Sequence, residues 1–118
     1  MASIFAAAAS CDGSALIERD TLLQLFGYAQ ANGYMVDAIE VYELSGDLEI
    51  PRVDLGLYGG ELVHETRGMS YEQSMQHVRE AVDFTIAAAD ALAASCGFLI
   101  WLAETRAWRE ATASTLHG

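Results

Sequence analysis

Apolar residues recur at three- and four-residue steps most persistently between Ser70 and Thr115. Met75, Val78, Val82, Ile86, Ala89, Leu92 or Ala93, and Cys96 mark one stripe, and Glu72, Arg79, Glu80, Asp83 and Asp90 fall mostly off it. This pattern predicts a long amphipathic helix with one dry face. Ser70 and Gln73 have the spacing of a capping box, in which each side chain satisfies an orphan N–H of the first turn, so the helix is predicted to start near Ser70. The alanines at 81, 87, 88, 89, 91, 93 and 94 favour helix and let a neighbouring backbone come close. Ser95, Cys96 and Gly97 interrupt the helix formers, and Gly97 predicts a stop or kink there. Phe98 to Ala103 is apolar on every side and leads into Glu104, Arg106, Arg109 and Glu110, with Trp101 and Trp108 seven residues apart. It is expected to be a second helix that enters the core at its beginning and leaves it at its end.

Upstream the signals are shorter. Ser3 to Ser10 reads as a brief helix ended by Asp12-Gly13, or as a lead-in to a strand. Thr21 and Gln24 have the capping-box spacing, Leu22, Leu25, Phe26 and Ala29 share a face, and Asn32-Gly33 closes the element, predicting a helix from about Asp20 to Ala31. Tyr34 to Leu44 settles on neither period. A helix is the favoured expectation, with a strand as the alternative. Ser45-Gly46-Asp47 is a turn. Leu48, Ile50, Val53, Leu55 and Leu57 approach alternation broken by Pro51, which suits an edge strand or bulge. With Gly59-Gly60 between them, residues 52–58 and 61–65 are expected to pair as a hairpin. The architecture implied is mainly α within the α+β class: one domain over residues 1–118, with a helical core of about four helices and a small β-hairpin packed on one side.

Composition narrows the roles such a domain can play. With 118 residues and 53% of them apolar, the chain can bury a core without disulfide or metal staples. Phe84 to Ala103 is long enough to cross a bilayer, but Asp90 near its middle and alanines that offset little favour a buried position in a soluble domain. The opening MASIFAAAASC has no positive charge before its short apolar run, so it reads as part of the folded chain and not as an export signal. Cys11 and Cys96 lack any paired spacing, and reduced thiols are expected in a cytoplasmic protein.

Charge is the most informative feature. Seventeen acids face six arginines, there is no lysine, and the net charge is -11, which disfavours direct contact with nucleic acid or anionic lipid and favours a basic partner. Residues 1–66 carry a net -9 (eleven acids, two arginines), and residues 67–118 carry -2 (six acids, four arginines). Asp37, Glu40, Glu43, Asp47, Glu49, Asp54, Glu61 and Glu65 fall in the acidic middle and are the candidate partner-binding residues. They form either a solubilising face or a decoy for the arginine- and lysine-lined groove of a nucleic-acid handler.

Catalytic signals are weak. His77 and Glu80, with Glu72 or Asp83, share a helical face, but a carboxylate-bridged bundle site needs its motif on two helices, so no metal is expected. His64 lies between Glu61 and Glu65, and the third histidine is His117. No nucleophile elbow or phosphate loop is present, and Cys96 on a dry face disfavours a thiolate. Trp101 and Trp108 with Arg106 and Arg109 form either core packing or an interface stripe. No catalytic residue, cofactor or metal is therefore assigned. The expected function is that of a small acidic, non-catalytic inhibitor, such as a phage anti-defence (anti-CRISPR-like) or toxin-immunity protein that masks a basic nucleic-acid-handling surface. The alternative is a helical homo-oligomeric scaffold or accessory subunit, with a homodimer built on the alanine-rich helix.

Overall fold

A computed structural model describes residues 1–92 and 94–114, so that Ala93 of the predicted stripe, Thr115 and His117 lie outside the described residues. Its elements run α1 (Ala2–Ala8), α2 (Arg19–Ala31), β1 (Tyr34–Ser45), β2 (Leu48–Pro51), a 3-10 turn (Val53–Leu55), α3 (Gly59–Glu65), α4 (Tyr71–Asp90), β3 (Ser95–Glu104) and α5 (Thr105–Ser114). The class is α+β, as the alternation of helical and extended patterns implies. The three strands form an antiparallel sheet in the order β2-β1-β3.

The helices begin and end largely for the reasons the sequence suggests. In α4 the Ser70 hydroxyl accepts from the Gln73 amide at 3.2 Å and the Gln73 side chain accepts from the Ser70 amide at 3.0 Å, closing the capping box. Val78, Val82, Ile86 and Ala89 turn into the core together with Ser74 and Thr85. In α2 the buried face is Leu22, Leu25, Phe26 and Ala29, and the Asn32 side chain donates to the Tyr28 carbonyl at 2.8 Å where the helix ends. The predicted Thr21–Gln24 box is not formed, because the helix starts at Arg19 and Glu18 caps it without a side-chain hydrogen bond. Arg19 bridges to Asp90 at 2.9 Å and Arg79 donates to Gln30 at 3.4 Å, so α2 and α4 run antiparallel side by side.

Three segments depart from the sequence expectation. Tyr34 to Ser45 is a strand and not a helix. Val36 pairs with Leu102, but a register shift between Val36 and Ala38 leaves Asp37 unpaired, after which Ile39 faces Ile100 and Val41 faces Phe98. The bulge brings Val36 to the same face as Ile39 and Val41, while Met35 on the opposite face is buried as well, and together these erase the alternation that would have marked the strand. Phe98 to Ala103 is likewise strand, inside β3. Phe98, Ile100 and Leu102 are buried and Leu99, Trp101 and Ala103 half-buried, so the run is apolar on both faces, a pattern that also fits a buried helix. Finally, residues 52–65 form no hairpin: they run through the 3-10 turn into α3. The hairpin is instead β1-β2, turning at Gly46 with φ +60 and pairing Leu44 with Glu49 and Tyr42 with Pro51.

Beyond its formal strands the sheet gains two partial neighbours. Ser14 to Ile17 runs along the free edge of β3: Ser14 donates to the Ile100 carbonyl at 3.0 Å, and Ile17 and Phe98 exchange amide bonds at 2.9 Å. The Ser14 hydroxyl accepts from the buried Ile100 amide at 3.0 Å. Gly97 permits this approach, because a Cβ there would lie 2.6 Å from Leu16 Cγ. On the other edge Leu57 and Ile39 exchange amide bonds at 2.9 Å, filling β1 where β2 stops.

Candidate functional site

The outer half of the β1-β2 hairpin, with the 3-10 turn behind it, gathers three of the exposed large apolar side chains, Leu48, Ile50 and Val53. Residues directly opposite across an antiparallel ladder point to one face, as do residues two apart in a strand. The register therefore puts Ile39, Val41, Glu43, Ile50 and Leu48 on the inner face, the side of the core, and Glu40, Tyr42, Leu44 and Glu49 on the outer. Ile39 and Val41 are buried, whereas Ile50 is 41% and Leu48 64% exposed. The inner face of the sheet thus runs past its helical cover. Val53, 71% exposed, follows on the 3-10 turn, which packs against α4.

Electrostatics on the arm are organised by one cation. The Arg52 guanidinium grips Asp54 with both forks, Nε to Oδ1 at 3.1 Å and Nη2 to Oδ2 at 3.0 Å, and Nη1 donates to Glu43. Its amide donates to the Val41 carbonyl at 2.8 Å, so the backbone sets the guanidinium in place. Arg52 holds the Asp54 carboxyl below its ordinary range, and the two carboxylates push the guanidinium pKa higher still. On the outer face Tyr42 donates to Glu40 at 3.2 Å. Burial, and then this carboxylate, push the Tyr42 phenol up.

The eight predicted partner-binding carboxylates consequently do not form one surface. Glu40 and Glu49 lie on the outer face of the arm and Asp47 at its turn, whereas Glu43 and Asp54 are held by Arg52. Asp37 sits in the bulge against the start of α3, so close to Gly59 that no side chain fits there. Glu61 and Glu65 belong to α3, and Glu65 meets His77 of α4 at 2.5 Å. Asp37, Asp47, Glu49 and Glu61 make no ion pair or side-chain hydrogen bond among the described residues. The sequence reading missed Arg52 as the clamp and Leu48 and Ile50 as exposed apolar side chains. The turn at 45–47 followed by alternation was the signal for the latter.

Elsewhere the chemistry is sparse. Among the described residues no three His, Cys, Asp or Glu side chains converge as a metal ion would require. Burial, and then Glu43, push the Cys96 thiol up, which disfavours a nucleophilic thiolate. The cavity bounded by Glu40, Tyr42, Arg52 and Tyr58 is only about 10 Å³, too small for a substrate. No helix among the described residues is long and apolar enough to cross a membrane. The chain matches no family model, and no curated protein or solved structure resembles it significantly.

Proposed function

We propose that this protein is a non-catalytic binding factor of the inhibitor or immunity class, and that the arm from Glu40 to Asp54 is what it presents to a basic partner. The observation that carries the reading is the uncovered inner face: Leu48 and Ile50 stand exposed on an edge strand whose outer face and tip bear Glu40, Glu49 and Asp47. Apolar anchors within a charged rim are how protein interfaces combine affinity with orientation. The carboxylates steer a cationic surface to the arm, and the anchors hold it there. A groove that handles nucleic acid has the required positive charge, so masking such a groove, as a phage anti-defence or toxin-immunity protein would, is the role favoured here. The cytoplasm is the proposed compartment.

Because the carboxylates divide between two faces, a single phosphate-like ladder is not the recognition element. The clamp at Arg52 gives the arm a fixed shape, which reduces the entropy lost on docking. The homodimer alternative rests on the alanine-rich helix alone, since Phe98 to Ala103 lies within the chain's own sheet.

The test is affinity capture from a lysate of the native host with three baits of equal thermal stability: the wild-type chain, L48S/I50S, and E40Q/D47N/E49Q. The reading predicts a partner with a basic surface that the first variant loses and the second binds with slower association and a flatter salt dependence. Equal capture by all three would overturn it.

A further inference from the structure

The edges of the sheet are treated unequally. Ser14 to Ile17 pair along the free edge of β3, and Leu57 pairs with Ile39 where β1 runs on beyond β2. The free edge of β2 has no such neighbour among the described residues, and Leu48, Glu49, Ile50 and Pro51 are all exposed. An uncovered edge strand offers unpaired N–H and C=O groups to any chain that lies beside it. Which groups β2 offers follows from its register. The Arg52 amide donates to the Val41 carbonyl at 2.8 Å, and hydrogen-bonded pairs alternate along an antiparallel ladder, so Glu43 with Ile50 and Ser45 with Leu48 are the bonded pairs. The N–H and C=O of Glu49 and the C=O of Pro51 therefore point away from β1. Pro51 has no N–H to add, and it closes the run.

Side chains decide what lies there. Leu48 and Ile50 stand exposed on the inner face of this edge, and Glu49 stands between them on the outer face, the face that Glu40 shares. A second copy is a poor occupant. Two β2 edges pair about Glu49, the one residue of β2 whose N–H and C=O both face out, and this sets Glu49 directly opposite Glu49 between chains of net charge -11. Like charges so placed are destabilising. A strand with a cation opposite Glu49 and an apolar residue on either side of that cation satisfies both faces and the backbone together.

We infer that β2 is a strand-addition site, along whose free edge a basic partner lays an extended segment that alternates arginine or lysine with apolar residues. Glu49 donates one main-chain bond to that segment and accepts another, its carboxylate pairs with the cation, and Leu48 and Ile50 pack against the apolar neighbours. The inference rests on the arm as the contact surface and names the element of the partner that the arm takes hold of, which contact through side chains alone does not require.

The experiment is a titration of the ¹⁵N-labelled full chain with capped heptapeptides, followed through its backbone amides. One peptide alternates valine and arginine, and a second has glutamate in place of arginine. Two more are the arginine peptide N-methylated on its valine amides or on its arginine amides. Whichever way the peptide runs, only one alternate set of its amides faces β2. The inference predicts that the arginine peptide shifts the Glu49 and Ile50 amides saturably below millimolar concentration and that the glutamate peptide does not. One methylated peptide should bind at least tenfold more weakly than its parent, and the other should match it. Glu49→Lys, an exposed change expected to keep the thermal midpoint, should weaken the arginine peptide by at least tenfold. Equal binding of the two methylated peptides, equal binding of the glutamate peptide, an unaffected Glu49→Lys variant, no binding below millimolar concentration, or β2 amides that shift with the concentration of the chain alone, as pairing with a second copy requires, would each overturn it. Binding that ignores methylation but is lost in L48S/I50S would overturn strand addition and leave the arm standing, whereas partner capture indifferent to both arm variants overturns the arm itself.

Discussion

Replacing Ser14 by alanine tests the least expected feature of the fold, the strand at 95–104 and the segment laid along its edge. Ser14 is 5% exposed, and its hydroxyl is the acceptor for the buried Ile100 amide across 86 positions of sequence. Alanine fits the same space but leaves that N–H with neither protein nor water. An unsatisfied buried donor costs about 1–3 kcal/mol. For a chain of 118 residues the unfolding entropy is about 0.25 kcal/mol/K, so the thermal midpoint should fall by about 4–12 °C. Circular dichroism at 222 nm measures this, with Ser10→Ala as control, because the Ser10 hydroxyl is exposed and bonds only its local Ala7 carbonyl. Hydrogen exchange at Ile100 supplies the second readout: its amide should be protected in the wild type and faster by tenfold or more in the variant. If 98–103 were helical, the Ile100 amide would bond four residues back and ignore Ser14. An unchanged midpoint together with unchanged exchange at Ile100 would refute the reasoning.

Other consequences follow from single contacts. Asp54 has a folded pKa below its unfolded value, so its pairing stabilises the protein above about pH 3.9 and is lost as pH falls through the folded value. Asp54→Asn should therefore unfold at lower urea than the wild type at pH 7, and the gap between the two midpoints should narrow as the pH is lowered below about 3.9. A gap that does not change with pH would count against the clamp. Cys11 is exposed whereas burial raises the Cys96 thiol, so iodoacetamide at pH 8 should modify Cys11 first, and the reverse order by mass spectrometry would contradict the packing of Cys96. In Trp108→Phe the removal of an unpaired donor offsets part of the lost ring burial, so the stability loss in urea should stay below about 1 kcal/mol. A loss of about 3 kcal/mol or more would contradict this offset.

How much could be read in advance depended on whether structure was determined locally. The capping box at Ser70, the stripe of α4 and the buried face of α2 depend on neighbours three or four residues away, and sequence displays them directly. The strands at 34–45 and 95–104 depend on each other across some sixty positions. A bulge at Asp37 disguised one, and burial on both faces disguised the other. The Gly59-Gly60 pair suggested a turn, but it opens α3, and Gly59 is needed there for its closeness to Asp37. Acidity was visible as composition, whereas its division between two faces of the arm followed only once residues 40–51 were known to alternate. In the Arg52 clamp the contact with Asp54 is local, but the one with Glu43 crosses the hairpin and followed only once β1 and β2 were known to pair.

Hydrogen-exchange footprinting of the complex with the captured partner is the most direct test of the arm as the contact surface. New protection should concentrate on residues 40–51, with α2 and α4 unchanged. Protection across the helices with the hairpin amides exchanging as in the free chain would contradict the account.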